Sequence, residues 1–226
     1  MSRRLPFRHI AVEGPIGVGK TSLVQLLARR FEGVMVLEDV ENPFLPSFYE
    51  GRPGAAFQTQ VYFLLSRFQQ QREIAQLNLF HDLVLADYTF QKDRIFAYLT
   101  LDDADLAIYE KLYPLLEAEV PTPDLVIYMQ ASVPVLMERI RRRGREFETR
   151  IDREYLERLS EAYSHYFFHY RETPLLVVNT DDIDFVHDPA DLDALIDQIA
   201  RCRRGTQVYV PLGSRGTETL DPGGSP

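Results

Sequence analysis

Short apolar runs alternate with longer helical patterns along most of the chain. His9 to Glu13 is apolar in its middle and is closed by Gly14 and Pro15; from Lys20 to Phe31, Leu23, Leu26, Leu27 and Phe31 recur at helical spacing. The pattern predicts a strand, a loop and a helix. A second strand is expected at Val34 to Leu37, ending at Glu38, before an irregular stretch marked by Pro43, Pro46, Gly51, Pro53 and Gly54. A long helix follows from Phe57 to about Leu79, then a third strand at Leu83 to Ala86 ending at Asp87, and two helices near Asp93 to Leu99 and Asp103 to Ala118. Pro123 to Gln130 is apolar through its centre without alternation, the signature of a strand buried on both faces. Ser132 and Pro134 signal the start of the next helix, another covers about Arg153 to Tyr170, and a fifth strand (Leu175 to Val178) and a helix (Ala190 to Arg201) close the series.

Strands alternating with helices predict an α/β fold with a five-stranded parallel sheet and helices on both faces. With the Gly-rich stretch Gly14 to Thr21 between the first strand and helix, and the arginines of 139–145, this becomes a three-layer sandwich of the P-loop NTPase kind with an Arg-rich lid. With 226 residues the chain suits one domain, expected over residues 1–204. The last 22 residues, 205–226, hold five Gly and three Pro with little periodicity and read as a flexible tail.

Composition narrows the partners. Hydrophobic residues at 45% and charged residues at 26% are ordinary for a globular chain. The 25 Lys and Arg against 34 Asp and Glu leave a net charge of −9, which disfavours a polymeric nucleic acid, held as it is by clustered positive charge. The expected partner is therefore a small molecule. Cys202 is the sole cysteine, so no intrachain disulfide can form and a reducing, cytoplasmic location is expected. No run of roughly 20 apolar residues suggests a membrane span.

The sharpest chemical signal is Gly14-Pro15-Ile16-Gly17-Val18-Gly19-Lys20-Thr21, a complete Walker A pattern set between a strand and a helix, with Ser22 following in the first helical turn. Its glycines let backbone N–H groups wrap phosphate oxygens, and the helix N-terminus adds partial positive charge. Lys20 is expected at the β- and γ-phosphates of ATP or another NTP, and the Thr21 hydroxyl on Mg²⁺. Glu38 and Asp87 end neighbouring predicted strands, on the edge where open parallel sheets build ligand sites. One carboxylate could accept a proton from an attacking hydroxyl while the other completes the Mg²⁺ shell. Gln60 and Arg67, seven apart on the long helix, lie on nearly one face with Phe63 and Leu64 between them. Five arginines within residues 139–145 fit a lid that closes on a triphosphate. His165 and His169 have a metal-like spacing but lack further ligands, and are expected to be packed or on the surface.

Together these segments resemble the deoxynucleoside kinase family, in its bacterial deoxyadenosine/deoxyguanosine kinase branch. The resemblance rests on the P-loop, on Glu38 with Asn42-Pro43-Phe44 and Phe48-Tyr49, on Gln60 to Arg67, on Asp87 to Ala97, and on Arg139 to Glu148, spanning residue 9 to about 186. It implies transfer of a γ-phosphoryl group to the 5′-hydroxyl of a deoxynucleoside, a purine being the preferred guess and deoxycytidine an alternative, and it implies a homodimer. In the family's terms Glu38 is the general base, and Asp87 organises Mg²⁺ and the 5′ end. Gln60, Arg67 and Asp93 face the base, Tyr49 and Glu148 hold the 3′-hydroxyl, and Arg139, Arg143 and Arg145 contact phosphate; Arg141 and Arg142 are left on the surface. Many members carry Arg directly after the strand-end acid, where this chain has Tyr88, and Lys92 is expected to supply the missing charge. Rival readings are a monophosphate kinase of the thymidylate kinase type, disfavoured by Tyr88, and a P-loop protein without chemistry.

Overall fold

The computed structural model describes residues 4–144 and 151–211. Among these residues six strands, all parallel, form one sheet in the order β2-β3-β1-β4-β5-β6: β1 (His9–Glu13), β2 (Val34–Val36), β3 (Val84–Ala86), β4 (Leu125–Gln130), β5 (Leu175–Asn179) and β6 (Thr206–Tyr209). The helices are α1 (Lys20–Phe31), α2 (Leu45–Tyr49), α3 (Ala55–Phe80), α4 (Lys92–Thr100), α5 (Asp103–Glu117), α6 (Val133–Arg143), α7 (Arg153–His169) and α8 (Pro189–Arg201).

The α/β class and the parallel sheet agree with the sequence pattern, but the sheet has six strands rather than five. The extra strand, β6, lies inside the segment expected to be a flexible tail, so the tail's start at residue 205 is corrected. Thr206, Val208 and Tyr209 have β propensity, but the strand is a half-exposed edge of four residues, too short for its alternation to stand out from Gly- and Pro-rich surroundings. Five-residue α2 was also missed, hidden among prolines. Ser132 occupies the N-cap of α6, yet its side chain makes no capping bond; its backbone N–H donates to Asp181 instead, at 2.7 Å.

Strand order decides where ligands sit. The connection leaving β1 runs toward β2, and that leaving β4 runs toward β5, so a crevice opens beyond the carboxyl ends of β1 and β4. The P-loop fills that crevice. Every residue of β1 is buried, as are Leu125 to Met129 of β4, which explains why both read as nearly unbroken apolar runs. The largest cluster joins Leu23, Val24 and Leu27 of α1 and Leu195 and Ile199 of α8 to one sheet face. The other face is covered partly by α7, through Leu159, Tyr163 and Phe167, with Tyr128 stacked on Phe167 at 4.4 Å between ring centroids. Among the described residues no helix is long and apolar enough to cross a membrane.

His9 is the least expected member of the core. It is only 3% exposed, and neither ring nitrogen meets a hydrogen-bond partner. Burial lowers its pKa to about 4, and the nearby Asp124 carboxylate only partly offsets this. The unfolded chain, with an ordinary imidazole near 6.5, therefore takes up the proton first. Stability is full above about pH 6.5 and is lost as pH falls toward 4. Urea unfolding should show this group costing about 2 kcal/mol between pH 7.5 and pH 5, and His9→Phe should flatten that part of the profile; an unchanged slope would refute the assignment.

Candidate active site

The P-loop is shaped by its contacts with β4 and α6. Gly14 has φ 146°, and a Cβ there would lie 2.3 Å from the Met129 carbonyl oxygen; Gly17 has φ 86°, and a Cβ would lie 2.8 Å from the Ile140 side chain. No larger residue fits either position. The Lys20 ammonium donates to the Gly14 carbonyl at 2.7 Å and the Pro15 carbonyl at 3.1 Å, so it lies across the loop. Burial lowers its pKa to about 8, with Lys92 pushing the same way and Glu13, Glu38 and Asp87 opposing.

Asp87, one residue beyond β3, joins the two halves of the site. Its Oδ2 accepts the Thr21 hydroxyl at 2.6 Å, and its Oδ1 accepts the backbone N–H of Glu38 at 2.8 Å. One carboxylate thus ties the phosphate loop to the segment after β2. Thr21 and Asp87 present hard oxygen donors side by side, the donor type that Mg²⁺ prefers.

Glu38 sits within a charge cluster. Its Oε1 accepts from Arg67 Nη2 at 2.8 Å and Nε at 3.2 Å, and its Oε2 pairs with the Lys92 ammonium. Burial alone would raise the Glu38 pKa, but Lys92 and Arg67 together prevail and hold it at about 2. The group is therefore ionised at any working pH. Arg67 also pairs with Asp93, which is fully buried and takes further hydrogen bonds from Gln60 Nε2 at 2.8 Å and the Tyr109 hydroxyl at 2.7 Å. Gln60 Nε2 donates in addition to the Asp93 backbone carbonyl at 2.8 Å. With its amide hydrogens engaged there, its Oε1 remains as the acceptor for a ligand. The Phe63 ring lies 4.8 Å from the Arg67 guanidinium carbon.

The structure thus brings Glu38, Gln60, Arg67, Asp87, Lys92 and Asp93 together beside Lys20 and Thr21. Tyr49, at the end of α2, is 46% exposed, and it bears on Tyr155 of α7, whose pKa burial pushes up to about 12. Arg145 and Glu148 lie outside the described residues. Arg139 is anchored rather than free, donating to the Val18 carbonyl at 3.3 Å and to the Thr180 hydroxyl and carbonyl at 2.9 and 2.6 Å. Arg139, Arg142 and Arg143 line a cleft of about 220 Å³ with Gly17 to Gly19, Ser22 and Ile183 to Val186. Arg142 is exposed, as expected of a surface residue, yet it also faces this cleft. The Ile183 to Val186 wall carries no motif, and only the return of β5 to the P-loop makes it part of the site. The His165 and His169 rings lie tilted on the exposed side of α7, 4.8 Å between centroids, with His169 Nδ1 bonded to the His165 carbonyl at 2.9 Å.

Tyr88, at the position where an arginine was expected in relatives, is fully buried and donates its hydroxyl to Gln70 at 2.9 Å. It packs; it brings no charge. Sequence reasoning also missed Glu13 and Tyr109. The sequence pattern presents Glu13 only as the end of a strand, and Tyr109 sits in a helix whose spacing explains it fully as core.

Comparisons with known proteins point to one family. Residues 10–202 match the family model described as deoxynucleoside kinase. A deoxyguanosine kinase of Bacillus subtilis (strain 168) is 38% identical over 192 residues, covering 82% of this chain and 93% of its own. A deoxyadenosine/deoxycytidine kinase of the same organism is 32% identical over 199 residues, covering 84% and 91%. The solved structure of deoxyadenosine kinase from M. mycoides with bound dATP superposes with a TM-score of 0.71 at 26% identity, covering 84% of this chain and 98% of that one.

Among the described residues, Arg67 is the one cation that pairs with both Glu38 and Asp93. Removing it leaves Asp93 buried without a counter-charge, so Arg67→Met should cost about 3 to 5 kcal/mol in urea unfolding. Adding Asp93→Asn should recover part of that loss, because the two side chains act as a pair. Equal and additive losses would show that the pair is not coupled.

Proposed function

The chain belongs to the deoxynucleoside kinase family, and from that premise we propose that it transfers the γ-phosphoryl group of ATP to the 5′-hydroxyl of a purine deoxynucleoside, with Glu38 as proton acceptor. The observation that carries this reading is the shared Asp87: it grips the P-loop threonine and the Glu38 backbone at once, which sets the acceptor carboxylate at a fixed offset from the phosphate loop. Glu38 is a weak base at a pKa of about 2. In a loose phosphoryl-transfer transition state the hydroxyl proton leaves late, so a permanently ionised, well-aimed acceptor suffices.

Lys20 and the P-loop N–H groups bind the donor phosphates, and Arg139 and Arg143 flank them, with Arg145 assigned to the same lid. Thr21 and Asp87 would hold Mg²⁺, which when bound neutralises charge between the donor phosphates. Lys92 takes the place of the arginine that relatives carry next to the strand-end acid: its ammonium reaches Glu38 from α4, one helix turn beyond Tyr88. Ile183 to Val186 would face the donor base across the cleft.

For the acceptor, Gln60 offers a fixed carbonyl oxygen and Arg67 and Asp93 complete the polar wall, which suits a base with an exocyclic amine. Deoxyguanosine, deoxyadenosine and deoxycytidine all carry one, whereas thymidine does not. The names of the relatives favour a purine. Tyr49 and Glu148 are assigned to the 3′-hydroxyl. We further propose a homodimer through α3 and α5, which pack together and expose Leu65 at 53%, Ile108 at 50% and Leu115 at 70%. A single buried Cys202 fits a cytoplasmic enzyme.

The test is ADP release across the four deoxynucleosides, their ribose counterparts and the matching monophosphates. Turnover with purine deoxynucleosides and none with monophosphates is expected, and turnover with thymidine alone would overturn the pocket assignment. Glu38→Gln should lower kcat by about 10²- to 10⁴-fold, the usual range for a lost general base, with donor affinity kept. Lys92→Ala should lower kcat at least tenfold, as expected for loss of a charge that stabilises the transition state; near-normal turnover would remove Lys92 from the catalytic set.

A further inference from the structure

One buried ionisable group in the site has no part in the chemistry above. Glu13, the last residue of β1, is 0% exposed. Its Oε1 accepts both the backbone N–H of Thr89 at 2.6 Å and the Thr89 hydroxyl at 3.1 Å, across 76 positions of sequence, and its Oε2 accepts the N–H of Gly14 at 3.1 Å. Gly14 opens the phosphate loop. Thr89 lies two residues after Asp87 and three before Lys92, in the short segment that supplies Asp87, Lys92 and Asp93 to the site. Among the described residues, the other polar or charged groups bearing on the carboxyl are Lys20 of α1, Lys92 of α4, Glu38 beyond β2, Tyr128 of β4 and Tyr163 of α7. The Tyr163 hydroxyl is buried beside the Glu13 carboxyl.

We propose that Glu13 is a positioning residue for phosphoryl transfer: it locks the segment carrying Asp87 and Lys92 to the first residue of the phosphate loop, and so fixes the distance between the donor and acceptor halves of the site. Packing gives no reason for a carboxyl here. The other fully buried strand end, Ala86 of β3, is apolar, whereas the polar ends Gln130 of β4 and Asn179 of β5 are only half-buried. Asp87 spans the two halves from the outside, through Thr21 and Glu38, while Glu13 spans them from beneath, through Gly14 and Thr89. The two carboxylates leave the Asp87 to Lys92 segment little freedom to shift, and a displacement of about 1 Å at a reacting group costs on the order of 10²-fold in rate.

Burial pushes the Glu13 carboxyl above its ordinary pKa, against the pull of Lys92 and Lys20 and the Thr89 N–H. Above the ordinary carboxylate range, burying such an acid costs folding stability rather than adding to it. This separates a positioning role from a structural one. A group kept for the fold takes stability and activity down together when replaced, whereas a group kept for alignment takes down activity alone.

The inference rests on Asp87 and Lys92 serving the reaction as proposed above. The experiment uses the full chain with Glu13→Gln, Thr89→Val, Thr89→Ser and the double variant Glu13→Gln/Thr89→Val, with Glu38→Gln and Lys92→Ala in parallel. Melting temperature, kcat, and calorimetric Kd for ATP and for deoxyguanosine, each titrated alone, are the readouts. Glu13→Gln is expected to melt at or above the wild-type temperature while kcat falls by about 10- to 100-fold and both Kd values stay within about threefold. Thr89→Val should lower kcat less, Thr89→Ser should restore it, and the double variant should be no slower than Glu13→Gln, because the two side chains form one unit. Thr89→Val and Thr89→Ser keep the proposal testable should Glu13→Gln fail to fold. Unchanged kcat in Glu13→Gln, a melting temperature that drops in step with activity, or losses that multiply in the double variant would each overturn the proposal. Failure of the underlying reading has a different signature: Glu38→Gln and Lys92→Ala would both turn over normally.

Discussion

The site is organised around a buried guanidinium that neutralises two carboxylates at once. Arg67 pairs with Asp93 on one side and with Glu38 on the other, and Lys92 adds a second cation to Glu38, so the four charges balance inside the protein. Taking such groups out of water costs several kcal/mol for each ion, and a well-packed apolar cluster would serve stability as well. What the charges supply is alignment: Glu38 is held from two directions, Gln60 is held in one amide orientation, and these contacts are in place before any ligand arrives. Preorganised charge of this kind is the form in which a protein lowers a phosphoryl-transfer barrier, because there is little covalent chemistry for it to perform.

The sheet makes this arrangement possible. Parallel strands end on one edge, and the order β2-β3-β1-β4 puts the ends of β2 and β3 beside that of β1. Glu13, Glu38 and Asp87 come from the ends of these three neighbouring strands, and they face Lys20, at the start of α1, and Lys92, at the start of α4. The long helix α3 crosses that edge and brings Gln60 and Arg67, two turns apart, onto Asp93. Among the described residues, the reacting-site side chains sit at strand ends or on helices, and the backbone of Glu38, two residues beyond β2, is pinned by Asp87.

Most of this was legible in the sequence, and what was not has identifiable reasons. The P-loop declared itself because phosphate binding demands glycines at fixed spacing, and Gly14 and Gly17 occupy positions where any side chain would collide. Glu38 and Asp87 were found as polar residues closing apolar runs, and the seven-residue spacing of Gln60 and Arg67 placed them on one helix face. Glu13 closes an apolar run in the same way, but the glycine after it drew the reading to the loop. Tyr109 and the Ile183 to Val186 wall carry no local signal, since their contribution depends on which distant segment the fold sets against them. β6 escaped because an edge strand needs little hydrophobicity, and the composition around it is that of a turn.

The exchange at Tyr88 and Lys92 illustrates what the site conserves physically. In the pattern the chain resembles, an arginine follows the strand-end acid and reaches the acceptor group from the loop. Here that position holds an aromatic ring with 0% exposure and its hydroxyl on Gln70, while a lysine four residues later reaches the same Glu38 from the first turn of α4. On the function proposed above, the charge keeps its sign while its attachment moves from a loop to a helix, and a flexible ammonium stands in for the forked guanidinium that the resemblance implies. That substitution has a structural consequence. A guanidinium can hold a carboxylate with two parallel bonds, whereas an ammonium makes single, more adaptable contacts, so the directional grip on Glu38 has to come from another residue. Arg67 provides it through Nε and Nη2, and with Asp93 on its remaining nitrogen it is itself held in place. The division of labour follows from the chemistry of the two cations: arginine fixes the geometry of the carboxylate, and lysine supplies a movable charge beside it.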